Sequence, residues 1–201
     1  VLREVLPEVH EELRRKIESL WGGETCRVVF CRDCELTFAD PFVAGDSEYY
    51  RLAYPQSHYP QWRWEFDLTL QRLRALVRDG ALAKPRILEV GAGNGALSRR
   101  LIEGVTGADG LVCTEYSTAG RERIAALGVT CIAADVRDAR FNGFLGSFDA
   151  VVLSQVFEHL DSINLVLRRL AAFIKDNGYL FISVPGDDMI RFYEENQGLL
   201  N

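Results

Sequence analysis

The chain alternates short apolar runs with stripes of apolar residues at helical spacing. The runs are continuous enough to be buried strands, and they lie at residues 87–90, 111–114, 129–134, 148–154 and 179–185. Helical stripes separate them, the strongest of which covers residues 163–174 and stops at Asn177-Gly178. Strands that alternate with helices predict an α/β fold around a parallel sheet.

The first part of the chain has a different character. Residues 7–20 form an amphipathic stripe with acidic residues early and basic residues late, which complements a helix dipole. A second helix is predicted at residues 66–77, and Asp79-Gly80 ends it. We therefore expect an N-terminal region over residues 1–80 and a sheet domain over residues 81–201.

The strand at residues 87–90 runs into three glycines at alternate positions, Gly91, Gly93 and Gly95. A helical stripe resumes directly after them. Glycine is required in such a turn where residues take positive φ and where a ligand lies against the backbone without a Cβ in the way. A turn that only connects a strand to a helix remains the alternative interpretation.

The residues around the glycines indicate the kind of ligand. The spacing is G-x-G-x-G, whereas the dinucleotide fingerprint is G-x-G-x-x-G. Glu89 adds a carboxylate at the end of the strand, which suits a cationic ligand better than a phosphate. Both features disfavour a nicotinamide-dependent oxidoreductase, which stays as an alternative.

Two further acids follow successive strands. Glu115 ends the second run, about twenty residues beyond the glycines, where a doubly wound fold places the group that binds a ribose. Asp135 follows the third run. Each acid alone is more typical of a solvated loop, but Glu89, Glu115 and Asp135 together mark the sheet edge at which ligands bind in open α/β folds.

The glycine stretch resembles the first motif of the class I S-adenosylmethionine-dependent methyltransferases, and the resemblance extends over residues 85–185. It implies a Rossmann-like doubly wound sheet with strand order 3-2-1-4-5, S-adenosylmethionine as cofactor and S-adenosylhomocysteine as product. The family adds two further strands, which we expect to be missing. Only about sixteen residues follow the fifth strand, with one helix expected at residues 189–193, so either the domain ends early or the chain is truncated.

The resemblance assigns roles to residues of this sequence. The glycines would hold the amino-acid and sulfonium end with support from Glu89 and Asn94, Glu115 would bind the ribose, and Asp135 with the Val136 backbone would contact the adenine. The full set of expected cofactor residues is Glu89, Gly91, Ala92, Gly93, Asn94, Gly95, Glu115, Tyr116, Asp135, Val136, Ser154 and Gln155.

The loop after the fourth strand carries Glu158 and His159, and its Glu-His-Leu sequence resembles the ubiquinone-pathway O-methyltransferase group. In some relatives two glutamates and this histidine bind a divalent metal, but Gln155 replaces the first glutamate here, so we assign no metal to this loop. His159 has a suitable pKa to accept a proton from a hydroxyl. We take Glu158 and His159 as catalytic candidates, with hydrogen bonds that hold the loop as the alternative.

Three cysteines, Cys26, Cys31 and Cys34, resemble half of the zinc ribbon at the N-terminus of some bacterial methyltransferases that act on sugars and natural products. Tetrahedral zinc takes four ligands, and no cysteine precedes Cys26 to supply the fourth. A metal-free knuckle with reduced thiols is therefore favoured over zinc or a disulfide.

Aromatic residues crowd positions 49–66, with His58 among them. They predict either an apolar lid over the cofactor and acceptor or a packing layer between the N-terminal helices and the sheet domain. Packing is the better interpretation for most of them. His58 reads as a structural or exposed residue.

The 201-residue chain has a net charge of −6, which argues against a nucleic-acid groove, and no apolar run is long enough for a membrane span. We expect a bacterial, cytoplasmic protein that is a monomer or homodimer. The predicted function is methyl transfer to a small-molecule acceptor, with oxygen of a sugar or natural product preferred. A catalytically idle methyltransferase-like binding or assembly module is the alternative.

Overall fold

The chain is described by a computed structural model that covers residues 7–33, 35, 37–53 and 60–186, without the side chains of residues 7–10. The helices are α1 Pro7–Trp21, α2 Ser47–Ala53, α3 Trp64–Arg78, α4 Ala96–Gly104, α5 Thr118–Ala125 and α6 Ile163–Phe173. The strands are β1 Arg27–Phe30, β2 Thr37–Asp40, β3 Ile87–Val90, β4 Leu111–Thr114, β5 Thr130–Ile132, β6 Phe148–Ser154 and β7 Ile174–Ser183.

The central sheet has the order β5-β4-β3-β6-β7, and every neighbouring pair is parallel. The α/β class and the Rossmann-like sheet are therefore confirmed. The chain order reverses between β3 and β6, and their carboxyl ends open a crevice there. This switch point places the glycine turn after β3 opposite the loop after β6.

Apolar cores cover both faces of the sheet. Because side chains alternate along a strand, Ile87 of β3 joins the core under α3, α4 and α5, whereas Leu88 joins the core under α6. Phe66 and Leu73 of α3 are buried in the first of these cores. Since α3 packs on the sheet, the division into residues 1–80 and 81–201 stays a prediction.

The end of the sheet differs from the sequence prediction. Ile174 was assigned to the helix, but it begins β7 and pairs with Phe148. The register then shifts before Tyr179 pairs with Ala150, and Asn177 has a φ of 62° within the irregularity. The turn predicted at Asn177-Gly178 thus becomes a bulge inside the strand, because Ile174 gains a strand partner before the turn begins.

The N-terminal region is tied together by charge. The Lys16 ammonium of α1 lies 2.5 Å from Asp46 Oδ2 and 2.9 Å from Glu48 Oε2, which brings the start of α2 against α1. Strands β1 and β2 form a separate antiparallel pair.

Cys34 and the helix predicted at residues 189–193 lie outside the described residues. Within the described ranges, no helix has the length and apolar character that a bilayer crossing requires.

Two leucines of α6 test the core assignment. Leu170 is fully buried, whereas Leu165 on the same helix is 55% exposed. We expect Leu170→Ala to lower the free energy of unfolding by about 3 kcal/mol through lost burial and an unfilled cavity. Leu165→Ala, the matched control, should change it by less than about 0.5 kcal/mol. Urea unfolding of both variants measures the difference, and equal effects would contradict the packing of α6.

Candidate functional site

Two adjoining cavities open at the carboxyl edge of the sheet. The larger has a volume of about 350 Å³ and lies beside the ends of β3, β4 and β6. The smaller, about 80 Å³, lies over the glycine turn. Pro60, Arg63, Gly91 and Gln155 line both cavities, so the two share a wall.

The glycine turn is shaped by its neighbours. Gly91, Gly93 and Gly95 have φ values of 67°, 57° and 78°, which side chains rarely adopt. A Cβ on Gly91 would lie 2.6 Å from Val156 Cγ2, across the switch point. The backbone N–H of Gly91 donates to Thr114 Oγ1 at 2.9 Å, which ties the turn to the end of β4.

Sequence reasoning missed a fourth glycine, Gly120 of α5. A Cβ there would lie 2.4 Å from the Gly93 carbonyl oxygen and 2.7 Å from Glu115 Cγ. Gly120 thus lets α5 approach the glycine turn closely. Its N–H also donates to Ser117 Oγ at 3.1 Å, which makes Ser117 the N-cap of α5. The signal was an isolated glycine inside a helical segment.

Glu115 lines the larger cavity, and backbone N–H groups hold its carboxylate in place. Its side chain is buried, with Oε2 accepting the Gly93 N–H at 2.8 Å and Oε1 accepting the Ser117 N–H at 2.7 Å. These bonds fix the carboxylate between the glycine turn and α5. A carboxylate offers about four lone-pair sites, so acceptor capacity remains toward the cavity.

Glu89 lies at the base of the smaller cavity. It is 3% exposed, accepts a hydrogen bond from Ser98 Oγ at 2.6 Å, and lies 3.7 Å from Cys113 Sγ. Burial raises the pKa of Glu89 to about 7, although the bond from Ser98 opposes this. The carboxyl group therefore changes charge near neutral pH.

Asp135 is more constrained than expected. Three donors of Arg137 occupy its carboxylate: the backbone N–H and Nε bond Oδ1 at 2.8 and 2.7 Å, and Nη2 bonds Oδ2 at 2.8 Å. Asp135 still lines the larger cavity with Val136 and Tyr116. Burial and the Asp135 charge raise the pKa of Tyr116 to about 12, so its phenol keeps its proton.

Arg63 and Glu65 were also missed. Arg63 is the one lysine or arginine among the described residues that line either cavity. Glu65 is 7% exposed and accepts a hydrogen bond from Gln155 Nε2 at 3.0 Å. No motif marks these two residues, because they precede the sheet and reach the site only through the packing of α3.

The catalytic candidates lie on a short 3₁₀ helix, Phe157–His159, and both line the larger cavity. Burial lowers the pKa of His159 below its ordinary value of 6.5 and raises the pKa of Glu158. His159 Nε2 lies 3.9 Å from Glu158 Oε1, too far for a hydrogen bond. The two side chains thus do not hold the loop through a bond to each other.

Every expected cofactor residue except Gly95 lines one of the cavities. Gly95 instead starts α4 with a φ of 78°. Asn94 and Ser154 line the smaller cavity, where Asn94 Oδ1 accepts the Ala96 N–H at 3.1 Å and Ser154 Oγ accepts from Ser183 at 3.2 Å. The structure brings the set together, and its binding of a cofactor stays a prediction.

The aromatic stretch divides between the two predicted roles. Tyr50 lines the larger cavity, and Phe66 is buried and lines the smaller one. Trp62 and Trp64 are exposed. Tyr54, Tyr59 and His58 fall outside the described residues.

Zinc at Cys26, Cys31 and Cys34, the less favoured alternative, gains no support from the described residues. Among the residues it describes, no three His, Cys, Asp or Glu side chains are grouped to hold a metal ion. Cys26 and Cys31 are described, but their expected co-ligand Cys34 is not.

Several solved structures are similar to this chain. One is a protein from Pyrococcus horikoshii OT3, with a TM-score of 0.50 and 18% identity over 77% of this chain and 72% of that one. Another is an S-adenosylmethionine-dependent methyltransferase from Thermotoga maritima, described as a possible histamine N-methyltransferase. Its TM-score is 0.47, with 19% identity over 66% of this chain and 60% of that one. At these identities the similarity concerns the fold.

The chain spans less than two thirds of some of these structures: 60% of the Thermotoga protein and 34% of a coclaurine N-methyltransferase. A search of curated proteins found no match. Residues 61–201 match the family described as methyltransferase domain, which covers most of the chain and every cavity-lining residue except Ala44, Gly45, Tyr50 and Pro60. The chain therefore belongs to the methyltransferase-domain family.

Proposed function

We propose that the protein transfers a methyl group from S-adenosylmethionine to an oxygen of a small-molecule acceptor of the sugar or natural-product type. The observation that carries the proposal is the pair of joined cavities at the switch point, with Glu115 fixed against the glycine turn between them. Ligands of open α/β sheets bind at this place.

The residues present fit the cofactor. Gly91 lines both cavities, so a ligand there would meet backbone, while Val156 fills the space that a Cβ would take. The larger cavity offers Glu115 to hydroxyl donors, as a ribose requires. The smaller cavity joins Glu89 with Arg63, a charge pair that suits the ammonium and carboxylate of an amino acid.

These features divide the cofactor between the cavities. Glu115 would accept hydrogen bonds from the ribose hydroxyls, and Asp135 with Val136 would face the adenine. Arg63 would bind the carboxylate of the amino-acid end, and Glu89 would face its ammonium. Gln155, held by Glu65, would form the narrow wall between the two parts.

S-adenosylmethionine, when bound, supplies a methyl group on a positively charged sulfur that is already a good leaving group. The protein then contributes alignment, exclusion of water and proton transfer. His159 is suited to accept the proton of an acceptor hydroxyl, because burial lowers the pKa of its imidazole and so favours the neutral form. Glu158 lines the same cavity and would orient the acceptor or the imidazolium that forms.

The acceptor would contact the apolar part of the larger cavity. Tyr50, Pro60, Leu160 and Pro185 line this part. An acceptor with a flat or apolar body and one reactive hydroxyl suits such a lining.

Cofactor binding is tested by calorimetric titration of the wild-type chain with S-adenosylhomocysteine. We expect Glu115→Gln to raise the Kd at least about ten-fold, because one charged acceptor is lost and the new amide faces a backbone donor. Glu158→Gln, the same substitution in the same cavity, should leave the Kd within about two-fold. Absence of binding to folded wild-type protein, or equal losses in both variants, would contradict the proposal.

The buried Glu89 carboxylate should lower the free energy of unfolding at high pH, although the same charge should favour binding of the cofactor. Its pKa rises from 4.5 to about 7 on folding, so the folded state keeps the proton longer than the unfolded state. The resulting contribution to stability is complete below pH 4.5 and is lost as the pH rises through about 7. We expect Glu89→Gln to raise the free energy of unfolding at pH 8 by up to about 3 kcal/mol, with little change at pH 4.5.

The same variant should bind S-adenosylhomocysteine more weakly at pH 8, because the charge that faces the ammonium is gone. Urea unfolding at both pH values measures the first effect, and calorimetry measures the second. Glu103→Gln, on the exposed side of α4, is the control for a lost charge. A stability difference that does not depend on pH would refute the role of burial at Glu89.

A further inference from the structure

The Arg137 guanidinium lies between the carboxylates of Asp135 and Asp161, and Asp135 lines the larger cavity. Arg137 contacts Asp135 through its backbone N–H, Nε and Nη2. Nε and Nη2 bond different oxygens of the carboxylate, which is the two-point contact that a planar guanidinium favours. Arg137 does not itself line either cavity.

The other side of the guanidinium holds Asp161. Nη1 of Arg137 donates to Asp161 Oδ1 and also lies 3.4 Å from the Asp161 carbonyl oxygen. Asp161 Oδ2 in turn accepts the backbone N–H of Ala44 at 3.2 Å. The Arg137 and Asp161 side chains are about a quarter exposed, so water screens this chain of contacts only partly.

Residues 44–50, here named the cover, form one wall of the larger cavity. Ala44, Gly45 and Tyr50 of the cover line it. The Tyr50 ring stacks against Tyr116 with centroids 6.1 Å apart and meets His159 edge-on at 6.2 Å. The cover therefore contacts both the expected cofactor residue Tyr116 and the catalytic candidate His159.

We propose that Arg137 is a positioning residue that fixes Asp135 for adenine and, through Asp161, holds the cover over the cavity. This inference rests on the proposed function for its first half. Three of about four lone-pair sites of Asp135 already accept from Arg137, which leaves about one for an adenine amino group. The two-point contact of Arg137 Nε and Nη2 with Asp135, here named the fork, thus determines how many hydrogen bonds Asp135 can still accept and from which direction.

A neighbouring pair provides a matched control. Arg140 contacts Asp138 with the same pattern: N–H and Nε bond Oδ1 at 2.9 and 3.0 Å, and Nη2 bonds Oδ2 at 2.9 Å. This pair is more exposed, and neither residue lines a cavity. If an Arg-Asp fork at this sheet edge only stabilised its loop, both pairs would behave alike.

The test combines calorimetric titration of the full chain with S-adenosylhomocysteine and amide hydrogen exchange of peptides that cover residues 41–53. We expect Arg137→Gln to raise the Kd about ten-fold and to speed exchange in the cover, since both carboxylates lose a charged donor. Asp161→Asn keeps the Asp135 fork, so the Kd should stay within about two-fold while the cover still exchanges faster. Arg140→Gln should change neither quantity.

Wild-type affinity in Arg137→Gln would overturn the inference, and so would wild-type exchange of the cover in Asp161→Asn. If Asp161→Asn speeds exchange uniformly over the whole sheet, the contacts of Asp161 with Arg137 and Ala44 serve only overall stability, and the inference fails as well. If Arg137→Gln fails to fold, Arg137→Lys decides in its place, because it keeps the charge but loses the planar fork. If wild-type protein binds no S-adenosylhomocysteine, the proposed function fails, and exchange of the cover in ligand-free protein still tests the second half.

Discussion

The site depends on the way the glycine turn after β3 is bonded to the end of β4. Successive backbone N–H groups of Gly91, Ala92 and Gly93 donate to Thr114 Oγ1, the Thr114 carbonyl and Glu115 Oε2. These bonds satisfy the turn's donors and aim the Glu115 carboxylate at the same time. The turn cannot move without releasing the acid that would bind the ribose, so both are preorganised together.

The strand that leads into this turn also buries the carboxyl group of Glu89, and burial of a carboxylate lowers the stability of the fold. Glu89 is buried and accepts hydrogen bonds from the Ser98 hydroxyl and the Cys113 thiol, with no cation in contact among the described residues, and its raised pKa expresses that cost. A stability-optimised core would carry an apolar or amide side chain there. An acid that is buried at a cost in stability is typical of functional sites, because a cationic ligand would compensate for its burial.

The sequence predicted the sheet and most of the cavity lining, because both follow from local patterns. Apolar runs mark strands, and the carboxyl ends of parallel strands meet at one edge, so Glu89, Glu115 and Asp135 converge. Arg63 and Arg137 were not predicted, because their positions depend on the packing of α3 and on the pairing of Arg137 with Asp161, 24 residues away. Ile174 was misassigned because its strand partner Phe148 is distant in sequence.

A crystal structure of the protein with S-adenosylhomocysteine would show directly whether the two cavities hold the cofactor. We expect adenine beside Asp135 and Val136, both ribose hydroxyls on Glu115, and the amino-acid end in the smaller cavity with its carboxylate on Arg63. A ligand bound elsewhere, or one whose ribose does not contact Glu115, would contradict this expectation.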